Sequence, residues 1–273
     1  MKDIRLSMVQ MSSVPGDIDR NTEKMLSFVK EAKSSDIICF PELSLTGYEL
    51  PGSAAHAVDV SDAAISKISA AAVKNNIAIA FGFAEKDNGH VYISHALAGA
   101  DGKLTVYRKT HLGKFERECF VQGNEFVVTD TKKAKIGFQM CIESHFPEVT
   151  TSLVYRGAEI VLMPFATPMD VKRRMEIWKK YLPARAYDNG VFVAACNHMK
   201  NGKGGGAIII DPKGDVVAED ISGKEGLLTA DLDGKKAERV HVDDRKNMRE
   251  TDFFGSRRPE LYSDVTLPPV RRM

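Results

Sequence analysis

The stretch KIGFQMCIESHFPE, Lys135 to Glu148, holds an apolar run, a polar turn and the opening of a helix in one short span. Lys135 to Met140 has the length and composition of a buried strand. Pro147 and Glu148 suit a helix's first turn, where proline's missing N–H costs nothing and an acid faces the positive end of the dipole. A strand that leads directly into a helix is the building unit of an α/β protein. Cys141 stands where the strand ends, the edge at which α/β sheets present functional side chains. Judged by its neighbours alone, Cys141 could be core filler, a metal ligand or a nucleophile.

The same unit recurs on both sides. Ile4 to Val9 alternates as a strand, Asn21 to Lys33 carries Met25, Leu26, Phe28 and Val29 as a helix face, and Ile37 to Phe40 is a short apolar strand. Ser61 to Lys74 reads as an alanine-rich helix that Ser61 could cap, followed by a strand at Ile77 to Phe81; Glu159 to Met163 is another. Hairpins are predicted where His90–Leu97 turns through Gly99-Ala100-Asp101-Gly102 into Lys103–Tyr107, and where Ala207–Ile210 turns through Asp211-Pro212-Lys213-Gly214 into Val216-Val217. Val171 to Asn189 is predicted as a long helix that Pro183 bends or interrupts. With no linker or composition break, residues 1–256 read as one continuous α/β domain with mixed sheets. Residues 257–273 hold too many prolines for regular structure and form either a solvated basic tail or an arm packing on another subunit.

The totals narrow the function. In 273 residues, 38 basic side chains against 37 acidic give a net charge of +1, which offers no field for nucleic acid or an anionic membrane. A hydrophobic content of 43% supplies a core, yet no run is long enough to span a bilayer and the first residues lack the h-region of a secretory signal. The expectation is a cytoplasmic protein whose four cysteines, Cys39, Cys119, Cys141 and Cys196, remain thiols. The seven histidines show no metal-ligand spacing, and Gly202, Gly204, Gly205 and Gly206 precede a strand rather than opening a helix as a phosphate loop would. No metal or cofactor is expected.

Cys39 in IICF and Cys196 in VFVAAC sit in apolar runs, where a thiol packs as a small hydrophobe. A catalytic thiol, with an ordinary pKa of about 8.5, needs a base or cation beside it. His111, His145 and His198 are available for a cysteine–histidine pair. A carboxylate with a lysine serves equally, the first taking the proton and the second holding an oxyanion. Glu42 follows the strand IICF and Lys109 ends the strand Lys103–Tyr107, so both fall at strand ends as Cys141 does.

Three segments then form a pattern. PELSLTGY around Glu42, YRKTHL around Lys109 and GFQMCIESHFPE around Cys141 resemble, in order, the catalytic glutamate, lysine and cysteine segments of the carbon–nitrogen hydrolases of the nitrilase superfamily. GAEIVLMP, ARAYDNGVFVAACN and DPKGDVVA resemble the family's later strands and loops, so the likeness covers nearly the whole chain. The resemblance implies a four-layer α-β-β-α sandwich whose subunits pair into a homodimer or larger homo-oligomer. It implies a second glutamate supporting the lysine; the pattern places Glu116 there, with Glu118 close enough to compete. It implies a small amide or N-carbamoyl substrate cleaved through a cysteine thioester, with the backbone N–H of Ile142 helping to hold the oxyanion. Many amidases of the group carry C-Y-D or C-W-D where this chain has Cys141-Ile142-Glu143, so a nitrilase remains an alternative, as does an idle assembly subunit. Tyr48, Glu143, His145 and Phe165 are the candidate substrate-binding residues, Glu143 suiting a basic or polar amide if it faces the pocket.

Overall fold

The computed structural model describes residues 1–49, 52–200, 203–241 and 256–266. Its first half builds one sheet from β1 (Ile4–Gln10), β2 (Ile37–Cys39), β3 (Ala78–Asp87), β4 (His90–Ala98) and β5 (Leu104–Arg108). The second half builds another from β6 (Val128–Asp130), β7 (Lys135–Phe138), β8 (Ile160–Phe165) and β9 (Phe192–Asn197). A small ribbon, β10 (Met199–Lys200) with β11 (Lys203–Gly204), interrupts the chain before β12 (Ala207–Ile210) and β13 (Val216–Asp220) complete that sheet. The final strand, β14 (Gly226–Leu232), returns to lie antiparallel beside β1. The strand orders are β14-β1-β2-β3-β4-β5 and β13-β12-β9-β8-β7-β6, each with a parallel centre and antiparallel margins.

Three apolar zones stack these elements. Leu6, Met8, Ile37, Cys39 and Ala80 of the first sheet meet Phe138, Ile160, Leu162, Ala194 and Cys196 of the second in a dry interlayer. The outer face of the first sheet is covered by α1 (Ile18–Glu31) and α2 (Ala63–Asn75) through Met25, Phe28, Ile65 and Ile68. The outer face of the second is covered by α3 (Pro147–Tyr155) and α4 (Val171–Asn189) through Leu153, Met175, Trp178 and Leu182. A sheet buried on both faces must read as continuous apolar strands, which is how β2, β8 and β9 read. The result is the expected α-β-β-α sandwich. A short helix, α5 (Gly234–His241), follows β14, and no helix among the described residues is long and apolar enough to cross a membrane.

Two local expectations need correction. Asp62, not Ser61, caps α2, its carboxylate accepting from the Ala64 N–H at 2.8 Å, while the Ser61 hydroxyl turns back to Asp59. The ionised acceptor makes the stronger bond and outcompetes the hydroxyl one residue earlier. Pro183 does not interrupt α4, which runs unbroken from Val171 to Asn189. Proline forfeits one helical bond, but Met175, Trp178, Leu182 and Ala186 bury a continuous stripe on both sides of it. Of the C-terminal segment, residues 256–266 form two short helical turns, at Pro259–Leu261 and Ser263–Thr266, with no buried side chains. Residues 267–273, and Gly202 of the glycine run, lie outside the described residues.

Candidate active site

Glu42 lies just beyond β2, after Phe40 has bonded to Ala80 and Pro41 has ended the ladder. The turn is tight: Leu43 takes a left-handed φ of 53°, and Gly82 of β3 passes directly beneath. A Cβ on Gly82 would stand 2.3 Å from the Leu43 nitrogen, so only glycine permits this approach. Lys109 follows β5 and is anchored at both backbone groups, its N–H donating to Ile93 and its carbonyl accepting from Gly123, both at 2.8 Å. Cys141 opens a single helical turn, Cys141–His145, with φ at 47°, a conformation that a non-glycine residue adopts only when its surroundings impose it.

These three ends meet. The Lys109 ammonium donates to Glu42 Oε1 at 2.6 Å and to both oxygens of Glu116, at 2.9 and 3.0 Å, and all three side chains are withdrawn from solvent. Glu116 Oε2 also accepts from the Gly113 N–H at 2.7 Å, whereas Glu118 faces solvent, so the lysine's second carboxylate is Glu116. Glu42 Oε2 is buried and has no hydrogen-bond partner among the described residues.

The charges follow from the geometry. Burial disfavours the Lys109 ammonium, but the carboxylates of Glu42 and Glu116 outweigh it and hold the lysine charged. Two carboxylates share that one cation. Burial, with the like charge of Glu116, lifts Glu42 to about 7 against the pull of Lys109. Burial, then Glu42, pushes the Cys141 thiol up to about 12 despite Lys109, so the thiol keeps its proton at rest. The site therefore pairs a half-buried thiol with a carboxylate whose pKa lies near neutrality and a charged lysine.

Cys141 lines a cleft of about 270 Å³, shared with Tyr48, Ile142, His145, Phe165 and Arg174. Glu143 is not among its walls, which corrects the expectation that it contacts substrate. Its carboxylate is wholly buried and points away, accepting from the Tyr107 hydroxyl (2.7 Å), the Thr110 N–H (2.8 Å) and hydroxyl (2.7 Å), and the N–H groups of His111 (3.1 Å) and Met140 (2.7 Å). It is a clasp between the segment after β5 and the turn that carries Cys141.

Among the described residues no hydrogen bond joins His111, His145 or His198 to the Cys141 thiol. His198 is buried beside a different cleft, its Nε2 accepting from the Ser13 N–H, and burial lowers it to about 4. His111 stacks on Phe146 and bonds to Thr110. His145 packs at a tilt against Tyr181, and burial, with the charges of Arg174 and Arg185, lowers its pKa below the ordinary histidine range. Arg174 was missed by the sequence reading, although the signal existed: it heads the i, i+4, i+8 stripe of Arg174, Trp178 and Leu182 on a buried helix face.

A family model for carbon–nitrogen hydrolases matches residues 5–241. The chain belongs to that family. This carbon–nitrogen hydrolase is 30% identical to a probable nitrilase of Schizosaccharomyces pombe, over 96% of this chain and 98% of that one. It is 27% identical to an (R)-stereoselective amidase of a Pseudomonas species, over 98% and 97% of the two chains. Among solved structures it resembles an amidase from Nesterenkonia sp. AN1 with a TM-score of 0.81 and 25% identity, covering 96% of each chain. That amidase, as a glutamate-to-glutamine variant, carries the acetamide moiety of fluoroacetamide covalently at its active-site cysteine.

Proposed function

We propose that this carbon–nitrogen hydrolase cleaves small amides to a carboxylate and ammonia, with Cys141 as nucleophile, Glu42 as base and acid, and Lys109 as electrophile. The observation that carries the reading is the unpartnered Glu42 Oε2 beside a Lys109 that Glu116 keeps charged. Glu42 takes the thiol proton as Sγ attacks the amide carbonyl. The Lys109 ammonium and the Ile142 N–H hold the resulting oxyanion, each donor contributing on the order of 3 kcal/mol. Collapse of the tetrahedral adduct breaks the C–N bond, and Glu42 passes its proton to the departing nitrogen. A thioester remains. Water then gives a proton to Glu42 and its hydroxide to the thioester carbon; the C–S bond breaks, and the thiolate recovers its proton from Glu42. The thiol's high resting pKa supports proton transfer during attack rather than before it. The covalent adduct on the Nesterenkonia enzyme's cysteine supports the same role for Cys141.

The test is ammonia release from a panel of amides, N-carbamoyl amines and nitriles by wild type and Cys141→Ala. Wild type is expected to act on amides and to show an acyl adduct on Cys141 by intact mass with a slow substrate. Cys141→Ala is expected to fold and be inert. Turnover of nitriles alone, or an active Cys141→Ala, refutes the proposal.

A further inference from the structure

Ser144 is fully buried, and its hydroxyl donates to the Cys141 carbonyl at 2.6 Å while lying 3.0 Å from the Tyr181 hydroxyl of α4. A hydroxyl carries one hydrogen, and that of Ser144 is spent on Cys141. Tyr181 is therefore the donor in the second bond, and burial, which raises its pKa, keeps the phenol protonated for it. The chain of donors has a fixed direction, from the Tyr181 O–H to Ser144 Oγ and from the Ser144 O–H to the Cys141 carbonyl.

That carbonyl and the Ile142 N–H belong to one planar trans peptide, so they point in opposite directions and turn together. Fixing the oxygen fixes the hydrogen. Cys141 and Ile142 both line the cleft, and Cys141 holds a φ of 47°, where a non-glycine backbone is strained. Released at its oxygen, this peptide would relax by rotation and carry the N–H away from the reacting carbon. Hydrogen bonds in series also polarise one another, so a donor at the carbonyl strengthens the N–H on the far side of the same peptide.

A serine that bonds back three residues often does no more than satisfy a local turn. Here the turn is tied elsewhere: Gln139 Nε2 donates to the Glu143 carbonyl at 2.6 Å, Arg185 Nε donates to the Ser144 carbonyl at 3.2 Å, and the Glu143 carboxylate clasps the segment after β5. Holding the turn in place does not require Tyr181 to reach across from α4. Holding one peptide at one angle does.

We propose that Ser144 and Tyr181 are positioning residues for the oxyanion, aiming the Ile142 N–H at the tetrahedral oxygen through the Cys141 carbonyl. The inference rests on the hydrolase reading above and names what supports one of its two oxyanion donors.

The experiment uses two small probes of Cys141. Butanal accepts the sulfur at its carbonyl carbon, the thiol proton passing to Glu42, and so builds a tetrahedral oxyanion without any turnover. Methyl methanethiosulfonate forms the methyl disulfide and releases methanesulfinate, with no carbonyl oxygen to hold. Labelling of Cys141 by the second probe is followed by peptide mass with and without butanal, and kcat/KM for butyramide is measured alongside. In Ser144→Ala the butanal concentration that halves labelling is expected to rise about tenfold to a hundredfold, and kcat/KM to fall by a similar factor. The labelling rate without butanal should stay within about threefold of wild type, because that reaction makes no oxyanion. Tyr181→Phe should show the same pattern at roughly threefold to tenfold, and should add nothing in the Ser144→Ala background, since Tyr181 acts through Ser144.

Weakened protection in both variants supports the proposal even if wild type turns over no amide, a result that would sink the hydrolase reading alone. Three results overturn the proposal: butanal that fails to protect wild-type Cys141, protection unchanged in Ser144→Ala, or a labelling rate that falls as far as the protection does. Amide turnover by wild type would still stand beside any of them. If Ser144→Ala fails to fold, Tyr181→Phe decides: unchanged protection overturns the proposal.

Discussion

Replacing Glu143 with glutamine tests whether this carboxylate holds the site together or touches substrate. Oε1 receives four donors, from Tyr107, Thr110 twice and His111, and Oε2 receives the Met140 N–H. Glutamine keeps one oxygen. If that oxygen stays with the four donors, the new NH2 confronts the Met140 N–H, donor against donor, in a place without solvent. Bonds to a charged acceptor are worth about 1.5–3 kcal/mol against about 0.5–1.5 for neutral ones, and an orphaned buried donor costs about 1–3 kcal/mol. We expect Glu143→Gln to lose about 3–5 kcal/mol, which in a chain of this size is a fall in melting temperature of roughly 8–15 °C. Thermal unfolding followed by circular dichroism at pH 7 measures it. Burial alone would raise the Glu143 pKa, but donors from His111, Thr110, Tyr107 and Met140 hold it below the ordinary range. A depressed folded-state pKa contributes stability that is present above the unfolded value and lost as pH falls through the folded one. The gap between wild type and Glu143→Gln should therefore narrow below about pH 4. A melting temperature within about 2 °C of wild type, with KM changed instead, would refute the clasp and return Glu143 to the substrate pocket.

Further outcomes follow from the triad and its supports. Because Glu42 must be ionised and sits at about 7, kcat/KM should rise with pH to a plateau above neutrality, and Glu42→Gln should abolish that limb while lowering kcat by about 10²–10⁴. Lys109→Met leaves two buried carboxylates without a cation and should cost roughly 3–5 kcal/mol in urea unfolding at pH 8. Their folded-state pKa values then rise, so the deficit should shrink at pH 5; an equal loss at both pH values would contradict the charge argument. Gly82→Ala forces the Glu42–Leu43 turn away and should lower kcat about 10²-fold with the chain still folded, as steady-state kinetics and circular dichroism together would show.

The layers were legible because each strand buried on both faces must be apolar throughout, and IICF and VFVAAC obey that rule. The ends of strands were legible for the same reason: polarity returns where burial stops, which is how Glu42, Lys109 and Cys141 stand out. Their convergence was suggested by resemblance, since nothing local ties residue 42 to residue 141. Glu143 was read as a substrate contact because it lies two residues from Cys141 in sequence, while the turn at Cys141 swings its carboxylate toward Tyr107 and Thr110. Arg174 was overlooked because charge on a helix is ordinarily solvated; only the burial of its stripe reveals a cation kept from water. The return of β14 to β1 pairs residues at opposite ends of the chain, a contact no local pattern announces.

Glu42 and Lys109 extend from the first sheet, and Cys141 from the second. Their alignment is therefore a property of how two sheets are stacked, not of either sheet alone. The interlayer of Leu6, Cys39, Phe138 and Cys196 lies between those sheets, a shim whose thickness bears on the gap between Glu42 and Cys141. A methylene gained or lost there, far from any reacting atom, would retune the gap while each sheet kept its own hydrogen bonds. Adjustments of rate in this molecule are accessible from its dry middle as much as from its open cleft.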